Sequence, residues 1–114
     1  MAKTIKVLMV RVGQSPVVER IDSDQRQWSQ LMGGKLVATS LEWLSHHSSL
    51  IIIYHTEKGL PKNRTVNFGG TYTEDINGDF FIVRENKKGQ FVSLLDAHIR
   101  HALGHVFPGE LFNK

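Results

Sequence analysis

The sequence predicts an α+β domain in which two helices accompany a mostly antiparallel sheet of about five to six strands, in the order β-β-α-β-β-β-β-α. Short apolar runs rich in β-branched residues recur along the chain and are typical of strands. Two stretches place apolar side chains three and four residues apart, as amphipathic helices do. The chain has 114 residues, of which 40% are hydrophobic and 22% charged. This composition is typical of one globular domain, predicted over residues 1–107 and followed by a tail at 108–114.

The first third of the chain predicts a hairpin followed by a helix. Strands over residues 5–12 and 17–21 flank a turn that contains Gly13 and Pro16. A helix of about ten residues follows, and it must dock on a sheet because a helix this short is marginal alone. Asp22 or Ser23 caps its start, and Gly33-Gly34 ends it. Its apolar stripe consists of Trp28, Leu31 and Met32.

The middle of the chain contains the most apolar strand and three segments with weaker patterns. Residues 35–40 read as a strand. The unbroken apolar run over 50–56 predicts a central strand covered on both faces. Residues 41–49 fit either a helical turn or a hairpin loop. Residues 57–65 read as a loop, and no single pattern assigns 66–74.

The last third predicts a second hairpin and a helix. A strand within 76–85, a turn at 87–89 and a pairing strand at 90–94 form the hairpin. Ser93 is expected to cap the helix, which runs to about Val106 before Pro108 stops it. Both helices are expected on one face of the sheet. The apolar stripe of this last helix consists of Leu95, Ile99, Ala102, Leu103 and Val106.

The order of these motifs resembles that of the domain of unknown function 3846 family, whose members are small bacterial, plasmid and bacteriophage proteins. The resemblance covers residues 5–103, and its most specific pieces are GLPKNR at 59–64 and GQFVSL at 89–94. The chain departs from the family pattern over 41–49 and 65–74. The second of these stretches looks like an insertion, and insertions often carry function. The resemblance implies a phage or mobile-element context and assigns no catalytic residue.

The segment around GLPKNR supplies the candidate ligand-binding residues. An asparagine amide and an arginine fork suit phosphate or carboxylate, and aromatic rings flanked by lysines suit a nucleotide or a single strand. The alternative is structural, with the amide capping backbone groups, the guanidinium pairing with a surface carboxylate and the rings packing on a sheet edge. The candidate residues are Lys58, Lys62, Asn63, Arg64, Phe68 and Tyr72.

A second candidate is a histidine face on the last helix. His98, His101 and His105 lie within an arc of about 60° at helical spacing, and imidazole nitrogens bind zinc. The alternatives are a solvated polar face and a pH-sensitive surface. A third segment, from Asp75 to Asp79, imitates the start of a calcium loop but has Phe80 where that loop needs glycine, so a turn is expected there.

These observations lead to a prediction of function. The chain has no cysteine, which excludes disulfides and thiolate nucleophiles, and its net charge is only +3. No phosphate loop, nucleophile elbow or metalloprotease motif occurs, so no cofactor is expected. We expect a cytoplasmic, non-enzymatic binding protein of a phage or mobile element in a bacterial cell, which acts on a host protein or sequesters a small anionic, nucleotide-like ligand.

Two other functions stay open at this point. One is a nucleic-acid-binding accessory domain, which the weak positive charge permits. The other is a small metal-binding protein or enzyme that uses the histidine face. No membrane partner is expected, because the apolar runs are far shorter than the roughly 20 residues of a membrane span. An exposed strand edge leaves pairing between two copies of the chain open.

Overall fold

The computed structural model describes residues 3–44, 48–57, 59–68, 72–105 and 107. This part of the chain contains eight strands and two α-helices, which confirms the α+β class. A 3₁₀ turn at Gln25–Gln27 precedes the first helix. The elements in chain order are β1 Thr4–Val10, β2 Val17–Asp22, α1 Trp28–Met32, β3 Leu36–Leu44, β4 Ser48–His55, β5 Lys62–Asn67, β6 Thr73–Asn77, β7 Phe80–Glu85, β8 Phe91–Val92 and α2 Asp96–His105.

The main sheet is antiparallel throughout and has the order β2-β1-β7-β4-β3, with β8 added beside the end of β7. The predicted hairpin of β1 and β2 is confirmed. Strand β4 lies between β3 and β7, and its side chains are buried on both faces, as its apolar run predicted. Strands β5 and β6 form a separate two-stranded sheet, which we call the β5–β6 hairpin.

Both faces of the main sheet are apolar at its centre. The central strands have unbroken apolar runs, and successive side chains of a strand point to opposite faces. On one face, Leu8 and Ile52 belong to a core that includes Ala102 of α2 and Val66 of β5. On the other face, Val7 and Ile53 pack with Trp28 of α1. The helices therefore lie on opposite faces. The expectation that both lie on one face was wrong, since two apolar faces each need a cover.

The first helix is shorter than predicted and starts later. Asp24, and not the predicted Asp22 or Ser23, caps the 3₁₀ turn before the helix, and its carboxylate accepts a hydrogen bond from the Arg26 amide at 3.0 Å. Trp28 is buried, and its Nε1 donates to the Asp22 carbonyl at 2.6 Å. Leu31 is 53% exposed, so its place in the apolar stripe was wrong. A helix of five residues presents only one narrow side to the sheet.

Ser93 does not cap the second helix, contrary to the sequence-based expectation. Its Oγ accepts a hydrogen bond from the Lys6 amide of β1 at 2.9 Å, and the helix begins at Asp96. The amide of Leu95 instead donates to His98 Nδ1 at 3.2 Å. Leu95 thus precedes the first turn and is 53% exposed, whereas Ile99, Ala102 and Leu103 belong to the core as predicted. Val106, the last residue of the predicted stripe, lies outside the described residues.

Two segments with weak sequence patterns are strands. Strand β5 begins at Lys62, inside the region that was expected to be a loop over 57–65. The stretch 41–49 belongs largely to the β3–β4 pair, which has a register shift between Ser40 and Glu42. Residues 45–47 of that stretch and the predicted tail at 108–114 lie outside the described residues.

Candidate functional site

The amide of Asn63 joins three parts of the fold. Its Nδ2 donates to the carbonyl of Val10, at the end of β1, at 3.0 Å and to the carbonyl of Gly78, in the β6–β7 turn, at 2.9 Å. Its Oδ1 accepts a hydrogen bond from Arg64 Nη1 at 2.8 Å. Both amide hydrogens are thus donated to backbone carbonyls of this chain, as the structural alternative predicted. Asn63 positions β5 and the side chain of Arg64.

Arg64 connects the β5–β6 hairpin to the turn between β1 and β2. Its Nη2 donates to the Gln14 carbonyl at 2.5 Å, while Nη1 is held by Asn63. Arg64 as a whole residue is partly buried. Its planar donors are directed at carbonyl oxygens, which are acceptors of the kind that a phosphate or carboxylate would also offer. Asn63 and Gln14 therefore set the orientation of the Arg64 guanidinium.

Lys62 belongs to a small polar network on the exposed side of the hairpin. Its Nζ lies 3.5 Å from Asp75 Oδ1, and Thr65 Oγ1 donates to the same oxygen at 2.7 Å. The hydrogen bond from Thr65, with the charge of Lys62 second, lowers the pKa of Asp75 below its ordinary value. Both charged side chains are largely exposed, so solvent screens this pair and it adds little stability.

An aromatic pair lies where the two strands of the hairpin end. The ring centroids of Phe68 and Tyr72 are 6.0 Å apart, and the ring planes meet at 56°. Phe68 is partly buried against the α2 face of the sheet, whereas Tyr72 is 59% exposed. The Tyr72 hydroxyl donates to Glu74 Oε2 at 3.3 Å, and the charge of Glu74 raises the pKa of Tyr72. The pair therefore consists of an exposed tyrosine, Tyr72, in contact with a phenylalanine, Phe68, that is packed against the core.

Five of the six candidate ligand-binding residues therefore lie on one hairpin, and the sixth, Lys58, lies outside the described residues. Sequence reasoning missed the residues that hold the set in place. Ile76 is the one apolar residue of TEDIN and the one that is buried, so no alternation of apolar and polar residues marked this segment as a strand opposite β5. The missed partners are Gln14, Thr65, Glu74 and Asp75.

The turn expected over the segment from Asp75 to Asp79 is found only at Gly78 and Asp79, because the residues up to Asn77 belong to strand β6. Asp79 Oδ1 accepts from the Val12 amide at 2.9 Å, whereas Asp75 bonds Thr65, so the two carboxylates serve different partners. Gly78 has φ 77°, and a Cβ there would lie 2.9 Å from Leu60 Cδ1. The glycine permits both the left-handed turn and this close approach.

The histidine face gives a second geometry. His98 Nδ1 accepts the Leu95 amide at 3.2 Å, a role that requires an unprotonated nitrogen. Burial, together with the charges of Arg84 and His101, lowers the pKa of His98. The side chain of His105 lies outside the described part of the chain. Among the described residues, no three His, Cys, Asp or Glu side chains are grouped so as to hold a metal ion.

The fold and these contacts describe a small α+β domain with an appended, cross-linked hairpin. The model of a domain of unknown function family, DUF3846, matches residues 5–106, and the chain belongs to this family. This confirms the resemblance seen in the sequence. No curated protein and no solved structure matched the chain. None of the described helices has the length and apolar character needed to cross a membrane.

Proposed function

We propose that this protein is a non-enzymatic binding protein of a phage or mobile element, that it works in the bacterial cytoplasm, and that it acts on a host protein through the β5–β6 hairpin. The phage or mobile-element context comes from the family that the sequence resembles. The observation that carries the proposal is Tyr72, a residue that is 59% exposed at the end of the hairpin and whose ring contacts that of Phe68.

A tyrosine in this position suits a protein partner. Interfaces draw most of their binding energy from a few residues, among which tyrosine and arginine are enriched. The ring of Tyr72 offers apolar area, and its hydroxyl offers a hydrogen bond. Phe68 packs against the core and its ring contacts that of Tyr72. A ring that already has a packed neighbour is expected to lose less conformational entropy when a partner covers it.

The charges of the hairpin favour a protein over an anionic ligand. Strands β5 and β6 carry two cations, Lys62 and Arg64, and two carboxylates, Glu74 and Asp75. The carboxylates lie close to Lys62 and Tyr72, so they would repel a phosphate placed beside the ring. A mixed surface of this kind matches the polar rim of a protein interface. Sequestration of a nucleotide-like ligand is therefore the less favoured form of the proposal.

Native mass spectrometry of the untagged protein recovered from a bacterial host lysate tests this function. We expect a stoichiometric complex with one host protein, formed by the unmodified chain and lost in Tyr72→Ala. Val37→Ala is the matched control, because Val37 is also exposed but lies on β3, away from the hairpin. The control should retain the complex.

Three results would contradict the proposal. A bound nucleotide in place of a protein would support ligand sequestration instead. A complex that persists in Tyr72→Ala would move the contact surface away from the hairpin. A chain recovered bare from every lysate, including that of its natural host, would remove the binding role.

A further inference from the structure

Strand β2 is an open edge of the main sheet, and its backbone pairing shows which groups point outward. The Ser23 amide donates to the Lys3 carbonyl at 2.9 Å, which marks these opposed residues as hydrogen-bonded. Hydrogen-bonded and non-hydrogen-bonded pairs alternate in an antiparallel ladder. Val18 and Arg20, opposite Leu8 and Lys6, therefore direct their backbone amides and carbonyls away from β1.

An independent contact supports this assignment. The amide and carbonyl of Lys6 bond Ser93 Oγ and the Leu94 amide, both at 2.9 Å, so Lys6 directs its own groups away from β2. Within the described chain, no hydrogen bond is made to the outward backbone groups of Val18 and Arg20. Two donors and two acceptors thus stand ready for a further strand.

A groove lies beside this edge on each face of the sheet. On the α2 face, a groove of about 260 Å³ is lined by Val18, Asp96, Ile99, Arg100 and Leu103. On the α1 face, a groove of about 460 Å³ is lined by apolar Ile21, Trp28 and Leu31 together with polar neighbours. An apolar cavity of about 150 Å³ holds benzene, so the larger groove on the α1 face can take a large apolar side chain.

Three of the six large apolar side chains that are exposed in the described part of the chain lie at this edge. Val17, Val18 and Leu31 are 44%, 49% and 53% exposed. A strand that paired with β2 would send alternate side chains into the two grooves, which is how β-augmentation combines backbone affinity with side-chain specificity. The opposite edge, β3, is less suitable because the register shift between Ser40 and Glu42 interrupts its ladder.

Charge identifies the kind of strand that fits. Lys6 and Arg20 lie directly opposite each other on the α2 face, and Arg100 of α2 lines the groove there. The one carboxylate that lines this groove, Asp96, pairs with Lys6 Nζ at 3.0 Å. Asp22 of β2 lies on the same face as Arg20 by strand alternation, so the three cations Lys6, Arg20 and Arg100 outnumber the two carboxylates Asp96 and Asp22 there. This excess of positive charge favours an incoming segment with Glu or Asp on that face.

A second copy of this chain fits less well. Two-fold antiparallel pairing centred on the middle of β2 sets Glu19 against Glu19 of the second copy, or Arg20 against Arg20. Like charges directly opposite each other are destabilising in a sheet.

We propose that β2 and its two flanking grooves form a docking site for an extended segment of a partner protein, in which apolar residues alternate with acidic ones and which adds to the sheet as a further strand. This site is separate from the β5–β6 hairpin. The variants that test it lie outside the hairpin, so the two proposals fail independently.

Selection of a phage-displayed library of random twelve-residue peptides on the full chain tests this site. We expect enrichment of peptides in which apolar residues alternate with Glu or Asp. On addition of the best peptide, amide hydrogen exchange at Val18 and Arg20 should slow, whereas the amide of Glu19, already bonded to β1, should change little. Enrichment of basic peptides, no enrichment, or protection confined to other strands would overturn the proposal.

Variants make the test specific. Val18→Pro removes an outward amide, a change that edge strands tolerate, and should weaken binding about tenfold or more. Arg20→Glu should weaken binding of the acidic peptide by about tenfold. This variant keeps the proposal testable if Val18→Pro does not fold. Tyr72→Ala, on the hairpin, should bind the peptide normally. Equal affinities in all variants, or dimerisation through β2 in sedimentation analysis, would contradict a peptide-binding edge.

Discussion

Among single residues, Asn63 is the one whose replacement shows whether its amide has a structural role. Replacing it with alanine removes two hydrogen bonds to the carbonyls of Val10 and Gly78 and releases Arg64. We expect Asn63→Ala to lower the free energy of unfolding by about 1–3 kcal/mol, because buried carbonyls lose their partners. Urea denaturation measures this, with exposed Asn77→Ala as the control. An unchanged stability would show that the amide is not a structural anchor.

His98 gives a prediction about pH. Its pKa in the folded state is lowered by burial, then by Arg84 and His101, so the folded protein binds its proton less readily than the unfolded chain. This contribution to stability is complete above the unfolded pKa of about 6.5 and is lost as the pH falls below it. Protonation also removes the acceptor for the Leu95 amide.

The matched variant is His98→Gln, which keeps an acceptor at the start of α2 but cannot be protonated. Thermal unfolding between pH 5 and 8 should show a shallower loss of stability at acid pH in His98→Gln than in the unmodified chain. Identical pH profiles would exclude a role for His98, because the other histidines are common to both proteins.

Among the secondary-structure elements, α1 allows a comparison of the stability that a buried and an exposed apolar residue of the same helix contribute. Trp28 is 4% exposed and contacts Phe81 edge to face at 5.1 Å, whereas Leu31 is 53% exposed. Trp28→Ala should cost about 3–5 kcal/mol, as truncation of buried aromatic residues does. Leu31→Ala should change stability by no more than about 0.5 kcal/mol. Equal costs in chemical denaturation would mean that both residues are core, as the sequence pattern alone predicted.

The β6–β7 turn provides a second comparison between matched variants. Gly78 and Gly89 both have φ 77°, but only a Cβ at Gly78 would meet neighbours, at 2.9 Å from Leu60 and 3.2 Å from His55. Gly89→Ala should cost about 1–2 kcal/mol from left-handed strain. Gly78→Ala should cost more, since Leu60 must also move. A thermal denaturation series that places the two variants together would contradict this close approach.

Some of the secondary-structure elements could be predicted from the sequence and others could not. The central strand β4 and the β1–β2 hairpin were predictable because their apolar and turn residues act locally. The start of α2 was not, because Ser93 bonds Lys6, which lies 87 residues away in sequence. Strand β5 was predicted as a loop because it is rich in polar residues. The hydrogen bonds that hold it come from distant parts of the chain, as the bond from Asn63 to the Val10 carbonyl shows. The candidate residues of the hairpin were found, but their partners depend on tertiary contacts.

At the scale of the whole molecule, the sheet order places β7 between β1 and β4, which only long-range pairing decides. This arrangement buries both faces of the central strands. The β5–β6 hairpin packs on the α2 face through Val66 and Ile76 and is held there by Asn63 and Arg64. The main sheet therefore supports the hairpin. A binding site supported in this way loses little entropy when it engages a partner.

We proposed above that the β5–β6 hairpin binds a host protein. Amide hydrogen exchange of the chain, measured alone and in the complex recovered from a host lysate, tests this proposal. We expect slower exchange in β5, β6 and the flanking residues Phe68 and Tyr72, with little change in β3 and α2. Protection confined to elements outside the hairpin, or no change anywhere in the chain, would contradict it.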